Sequence, residues 1–320
     1  MLNKILSKSD GGASVPTPSK RIKGPKEDNV LAYLFIGPYL ILFIIFILLP
    51  VLMAAALAFT DFNSIERPRF VGFDNFIQMF SGDMVLVRHV IPNTLRFAII
   101  VGPVGYALQF LMAWLVLKLP RILRRGYTMA IYSSSLVGGV MMSVVWVVAF
   151  SGDRYGYLNN FLIWLGAITG PLDWTQQETS LMVIMIFVTL WSSMGVGFLS
   201  LQAGMFSVDP QLYEAGVIDG VSNGIQEIWY ITIPAMKPQM LFAAVMAMVG
   251  TLRAGGIGVT LSGMNPTPRY AGQLLQNHID DFGFIRMELG YATSLTFAML
   301  AAMLIINRVV FKLLGRKEDE

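Results

Sequence analysis

Few side chains in this 320-residue chain could do chemistry. Glu214 and Asp219 stand in the polar stretch Tyr213-Glu214-Ala215-Gly216-Val217-Ile218-Asp219-Gly220, where their carboxylates could pair with basic groups on another surface. Arg253 lies in an otherwise apolar run. A charge there is costly and usually faces a cavity or a partner, although a long side chain can also reach back to an interface. Arg96 sits near the end of its own run, so reaching the interface is the simpler reading. Asp280-Asp281 is an acidic pair that a solvated loop explains. The two histidines, His89 and His278, are far apart in sequence and cysteine is absent. That argues against disulfides, a thiolate metal site and a histidine-built metal or general-base centre. Neither histidine belongs to a Ser-His-Asp pattern, and without a Gly-Lys pair there is no phosphate-binding loop. The twenty methionines read as flexible gap-fillers between helices rather than a metal path. The chemistry on offer is recognition and transport rather than catalysis.

The elements that must position these residues are apolar. Hydrophobic residues make up 55% of the chain and charged residues 13%, with a mean hydropathy of +0.62. Soluble domains carry about 25% charged residues, so the composition belongs in a bilayer. A membrane helix needs about 20 apolar residues, and six such runs are present: 30–59, 97–117, 127–150, 179–206, 239–262 and 289–310. The second run has an entry turn expected at Ile91-Pro92-Asn93. Residues 1–29 are basic (Lys4, Lys8, Lys20, Arg21, Lys23, Lys26), lack an apolar signal-peptide core and read as a disordered cytoplasmic tail. Residues 30–314 form the membrane domain and 315–320 a second cytoplasmic tail. Lys and Arg number fifteen on one set of connecting segments and six on the other. That bias places both termini in the cytoplasm. The apolar stretch 157–170 is too short to span and reads as an interfacial helix on the outer face.

The connection between runs four and five, about 207–237, has helix signals of its own. Asp209-Pro210 supplies an N-cap and a first-turn proline, so a helix is expected from Pro210 to about Ile218. Gly220 suits its left-handed end. Ser222 or Asn223 then caps a second short helix, which Pro234 is expected to end. Ala215 and Gly216 are small enough for another backbone to approach closely. The segment either docks a partner or packs against its own bundle.

Glu214, Ala215, Asp219, Gly220, Ile231, Ile233 and Pro234 resemble the EAA motif of ABC importer permeases, most closely that of the maltose and glycerol-3-phosphate type. Gly216 replaces the second Ala of the motif, and the interval from Gly220 to Pro234 is one residue longer than usual. The resemblance runs from about residue 32 to 311. It includes Phe35-Ile36-Gly37-Pro38, Pro50, Ala58-Phe59-Thr60-Asp61, Val71-Gly72-Phe73-Asp74-Asn75-Phe76, Asn93-Thr94, Asp209-Pro210-Gln211-Leu212-Tyr213 and Gly290-Tyr291-Ala292.

The resemblance implies an all-α integral membrane protein with six transmembrane helices, in the type I ABC importer permease fold with a cytoplasmic EAA coupling helix. It implies a pore-forming subunit working by alternating access in an ATP-driven, binding-protein-dependent importer of a sugar or oligosaccharide. The partners it implies are a second permease, a dimer of ATP-binding subunits and an extracellular solute-binding protein, in a bacterial or archaeal cytoplasmic membrane. No cofactor is expected on this chain, since ATP and Mg would be held by the ATPase. The coupling residues would be Tyr213, Glu214, Ala215, Gly216, Asp219, Gly220, Ile231 and Pro234, with Glu214 meeting an Arg of the ATPase. The solute path would include Trp191, Ser192, Ser193, Met246, Gly250, Thr251 and Arg253, though Ser, Thr and Gly also serve plain helix packing. Glycerol phosphate or a polyol is an alternative solute. A secondary carrier would need ionisable groups at mid-membrane, and a membrane-embedded enzyme would need clustered His, Asp or Glu.

Overall fold

The computed structural model describes residues 27–137 and 139–314, and the fold is mostly helical. The expected tails at 1–26 and 315–320 lie outside the described residues. The chain divides into two compact units, 1–53 and 54–320. In the first, α1 (Glu27–Phe43) starts three residues inside the expected 1–29 tail. It passes through a π-helical turn at Ile44–Leu48 into α2 (Leu49–Leu57).

The second unit opens with a two-residue antiparallel ladder, β1 (Thr60–Asp61) against β2 (Arg69–Phe70). Asn75 in α3 (Asp74–Ser81) braces it, donating to the Ala58 and Thr60 carbonyls at 3.0 and 2.9 Å. A π turn at Leu86–Val90 leads into α4 (Ile91–Lys118). Then come α5 (Arg121–Leu136), α6 (Gly139–Ala149), α7 (Tyr157–Trp164), α8 (Glu178–Ser192), α9 (Val196–Ser207) and α10 (Pro210–Ile218). After α10, α11 (Gly224–Glu227) runs through a π turn at Ile228–Thr232 into α12 (Ile233–Ala235). The chain continues with α13 (Lys237–Leu252), α14 (Ile257–Ser262), α15 (Leu275–Asp280) and α16 (Leu289–Leu314).

The inward face of α4 shows how these elements pack. Phe97, Val101, Gly105, Gln109, Ala113 and Val116 are buried at helical spacing, while Leu95, Ile99, Ile100, Val104, Leu111 and Leu115 are exposed. Both faces are apolar, as a helix between a bundle and lipid requires. The buried face packs mainly on α9 and α13, around Phe198, Leu201, Met205, Met236 and Ala243.

Prolines depart from the expected roles. Ile91-Pro92 is not an entry turn, because the helix is continuous from Leu86 to Lys118. Pro234 does not end the second loop helix, which continues to Ala235 before an 88° bend into α13. In both places a π turn precedes the proline. The residue before it donates five positions back, Ile91 to the Leu86 carbonyl and Ile233 to the Ile228 carbonyl. Leu49, before Pro50, donates to Ile44 in the same way. A proline removes one N–H and crowds the carbonyl four residues back. The wider π turn absorbs both effects and lets the helix continue.

Three expected spans are broken. The run 127–150 divides between α5 and α6, with Val137 extended. Ser133, Ser134 and Ser135 each donate their hydroxyl three residues back, at 2.8–2.9 Å. Such bonds compete with the helical ladder just before the break. The run 179–206 divides into α8 and α9 with a 42° bend at Ser193–Gly195. The run 239–262 divides into α13 and α14, with Gly256 at φ +72° between them. Among the described residues three helices are long and apolar enough to cross a membrane, at Tyr33–Leu57, Leu86–Lys118 and Leu289–Lys312. The number rises to five if each bent pair is one span.

Candidate functional site: a surface loop and a cavity at a broken helix

The loop 207–237 folds from its own signals. Asp209 accepts from the Gln211 amide at 2.9 Å and caps α10. At the far end Gly220 has φ +93°, a conformation that glycine adopts most easily. The Val221 amide bonds the Gly216 carbonyl at 2.9 Å and the Gly220 amide bonds that of Val217 at 3.2 Å. Together these close the helix in the usual glycine-terminated pattern. Asn223, rather than Ser222, caps α11, accepting from the Gln226 amide at 2.9 Å. The Gln226 side chain returns the bond to the Ser222 amide.

Gly216 serves the loop itself rather than a visiting backbone. It is buried, and a Cβ there would collide with the Ile231 side chain. Tyr213 is half-buried, its hydroxyl 3.3 Å from Thr232 Oγ1. The other face of α10 is open. Glu214, Ala215 and Asp219 are exposed, and Val217 and Ile218 are 70% and 86% exposed. A groove of about 770 Å³ runs beside it, lined by Leu212, Ala215, Asp219, Gly220, Tyr230 and Pro234 among others.

The second feature lies at the α8–α9 break. Ser192, Ser193, Met246, Gly250 and Thr251, all expected on the solute path, line one cavity of about 300 Å³. The hydroxyls of Thr189, Ser192, Ser193 and Thr251 each donate to a carbonyl of their own helix. Their oxygens can still accept a hydrogen bond from a solute hydroxyl. Gln109 enters the same cavity and sequence reasoning missed it. It is 4% exposed, and its Nε2 donates to the Ser193 carbonyl at 2.8 Å. Its Oε1 is buried with no donor among the described residues. The sole signal was a lone amide in an uncharged run. A second cavity of about 330 Å³ shares Ser192 and adds Ser135, Trp146 and Thr260. No lining residue of either cavity is charged.

Two expected solute-path residues are elsewhere. Trp191 lines neither cavity; it packs edge-on against Trp146 with ring centres 5.5 Å apart. Arg253 is not within a helix. It is exposed in the turn that ends α13, because the glycines at 255 and 256 break the run there.

At the other end of α4 a buried polar cluster was also missed. Asp83 Oδ2 lies 2.8 Å from His278 Nε2 and accepts from the Tyr291 hydroxyl at 3.0 Å. Its Oδ1 accepts from the Leu86 amide at 2.8 Å. Burial raises the Asp83 carboxyl, but these bonds and the His278 charge outweigh it and hold it below the usual carboxylate range. Asp280 and Asp281 are not simply solvated. Both are half-buried, bonded to Gln276 and Arg286 at 2.9 and 2.8 Å.

No family model matches the chain. Curated proteins do. The probable ABC transporter permease protein YesP of Bacillus subtilis is 26% identical over 297 residues, covering 92% of this chain and 93% of that one. The arabinooligosaccharides transport system permease protein AraP of Bacillus subtilis is 25% identical over 90% of each chain. The diacetylchitobiose uptake system permease protein NgcF of Streptomyces coelicolor is 27% identical, covering 95% and 90%. The chain is similar along most of its length to permease proteins of ABC and sugar transport systems. By name these relatives are permease proteins of transport systems. The fold agrees: a chain of a bacterial ABC transporter that imports the acidic polysaccharide alginate superposes with a TM-score of 0.75. It is 22% identical and covers 92% of this chain and 98% of that one. A second structure of an alginate transporter, in complex with its alginate pentasaccharide-bound periplasmic protein, gives 0.74 at 22% identity, covering 90% and 94%.

Proposed function

We propose that this chain is the pore-forming permease subunit of an ATP-driven, binding-protein-dependent importer of a sugar or oligosaccharide, working by alternating access. The observation that carries this reading is α10. It is a capped nine-residue helix that turns Glu214, Val217 and Ile218 outward beside an apolar groove. An exposed helix of this kind fits a cleft on an ATP-binding subunit and corresponds to an EAA coupling helix. ATP and Mg would be held by that partner, with no cofactor on this chain. A second permease and a solute-binding protein complete the assembly. The relatives' names support a permease of a transport system, and the periplasmic protein bound to the alginate transporter supports the solute-binding partner. On this reading the chain has six spans, with both termini in the cytoplasm of a bacterial or archaeal cell.

Ser192, Ser193, Met246, Gly250, Thr251 and Gln109 are proposed to line the solute path at the break. Hydroxyls, an amide and no charged side chain suit a neutral sugar or polyol better than a glycerol phosphate.

Two variants test the reading. Glu214→Lys reverses the exposed charge, and Gly220→Val strains a left-handed turn by about 1 kcal/mol or more. Each is expected to leave the protein inserted, weaken ATPase attachment and abolish sugar uptake by whole cells. Full uptake in both would overturn the docking role of α10.

A further inference from the structure

Helix α4 touches both halves of the proposed site. At its C-terminal end Lys118 Nζ donates to both carboxylate oxygens of Glu227, each at 2.8 Å. One turn earlier the Trp114 ring lies against Gly224, where a Cβ would sit 3.2 Å from Trp114 Cζ2. Trp114 and Lys118 thus hold α11, the start of the second loop helix, directly on α4. Nine residues before Lys118, about 14 Å along the helix, Gln109 bonds the Ser193 carbonyl at the α8–α9 break. Gly197 allows this, because a Cβ there would collide with the Gln109 carboxamide. The proline inside α4, Pro103, lies outside this stretch, so residues 109–118 are uninterrupted helix.

We propose that residues 109–118 of α4 form a strut that carries displacement of the loop to the break beside the solute cavity. Lys118, Glu227 and Gln109 are its positioning residues. The inference rests on the permease reading above. The division of labour follows from exposure. The outer face of α10 is free for a partner, whereas α11 is fixed to its own bundle. A force on α10 reaches α11 through the Gly216–Ile231 contact and the continuous helix Gly224–Ala235. It then reaches α4 through the Lys118–Glu227 pair. Lys118 is 45% exposed and Glu227 24% exposed. A pair so exposed adds little to stability. Its removal therefore isolates the mechanical role. The buried Gln109 Oε1 has no donor among the described residues, which suits a group whose surroundings change when the break moves.

The test uses the complete transporter with its ATP-binding subunit and binding protein, reading sugar uptake, basal ATPase and solute-stimulated ATPase. Lys118→Glu and Glu227→Lys are each expected to keep assembly and basal ATPase but to lower stimulated ATPase and uptake at least about fivefold. The double exchange Lys118→Glu with Glu227→Lys is expected to restore most of the loss, which damage independent of the pair would not allow. Gln109→Leu, which also removes an amide from the solute cavity, is expected to keep stimulation low at every solute concentration, whereas a loss of solute binding alone would be overcome at high concentration. Wild-type stimulation in all single variants, or an exchange as impaired as its worse parent, overturns the strut alone. A wild-type chain that assembles with no ATP-binding subunit overturns the functional reading and the strut with it.

Discussion

Asp83 ties the turn at Leu86 to His278 and Tyr291, which are distant in sequence. Its side chain is 9% exposed and that of His278 is 4% exposed. Removing one member of so buried a pair leaves the other uncompensated, so Asp83→Ala is expected to cost about 3 kcal/mol. Denaturation of the purified protein in detergent would read this as a lowered midpoint. The sign of the pH dependence follows from the depressed carboxyl. Its stabilisation is fully present above the ordinary aspartate value of about 3.9. It is lost as pH falls through the lower folded value. The stability gap between wild type and Asp83→Asn is therefore expected to close below about pH 4. A gap that widens in acid would contradict the assignment. Nothing in the sequence singled out Asp83, because its partners lie 195 and 208 residues away. Gln109 escaped for a related reason. A lone amide becomes meaningful once a carbonyl at a helix break is known to face it.

At the scale of elements, local signals were legible where the cause is local. The bounds of α10, its Asp209 cap and its Gly220 end follow from residues within about three turns of one another. The prolines were misread because their effect depends on the preceding turn. Before Pro50, Pro92 and Pro234 a π turn removes the conflict. Pro234→Ala restores an N–H and lets Ile228–Thr232 relax toward regular α-helix. Ile231 would then rotate away from Gly216, which it now covers. The expected result is a fall in sugar uptake of about fivefold or more with the melting temperature nearly unchanged. Unchanged uptake would show that the π turn is incidental to the loop. The broken spans were also beyond reach of hydropathy, since Val137, Ser193–Gly195 and Gly255–Gly256 interrupt helices without interrupting apolar runs.

For the whole molecule, composition alone placed the chain in a bilayer, and the order of the apolar runs matches the order of the helices. What the sequence lacked was the third dimension. Trp191 and Arg253 sit at the expected places in the chain yet line neither cavity, whereas Ser192, Ser193, Met246, Gly250 and Thr251 converge. On the proposed reading, the open face of α10 meets an ATP-binding subunit. The absence of cysteine makes that contact directly readable. Val217→Cys and Ile218→Cys would be introduced singly into the assembled transporter in native membranes and treated with a short thiol cross-linker. Cross-links from both positions to the ATP-binding subunit, with yields that change when ATP is added, are expected. Free reaction of both cysteines with a soluble maleimide, and no cross-link while the ATPase remains bound, would contradict the assignment of α10 as the docking helix.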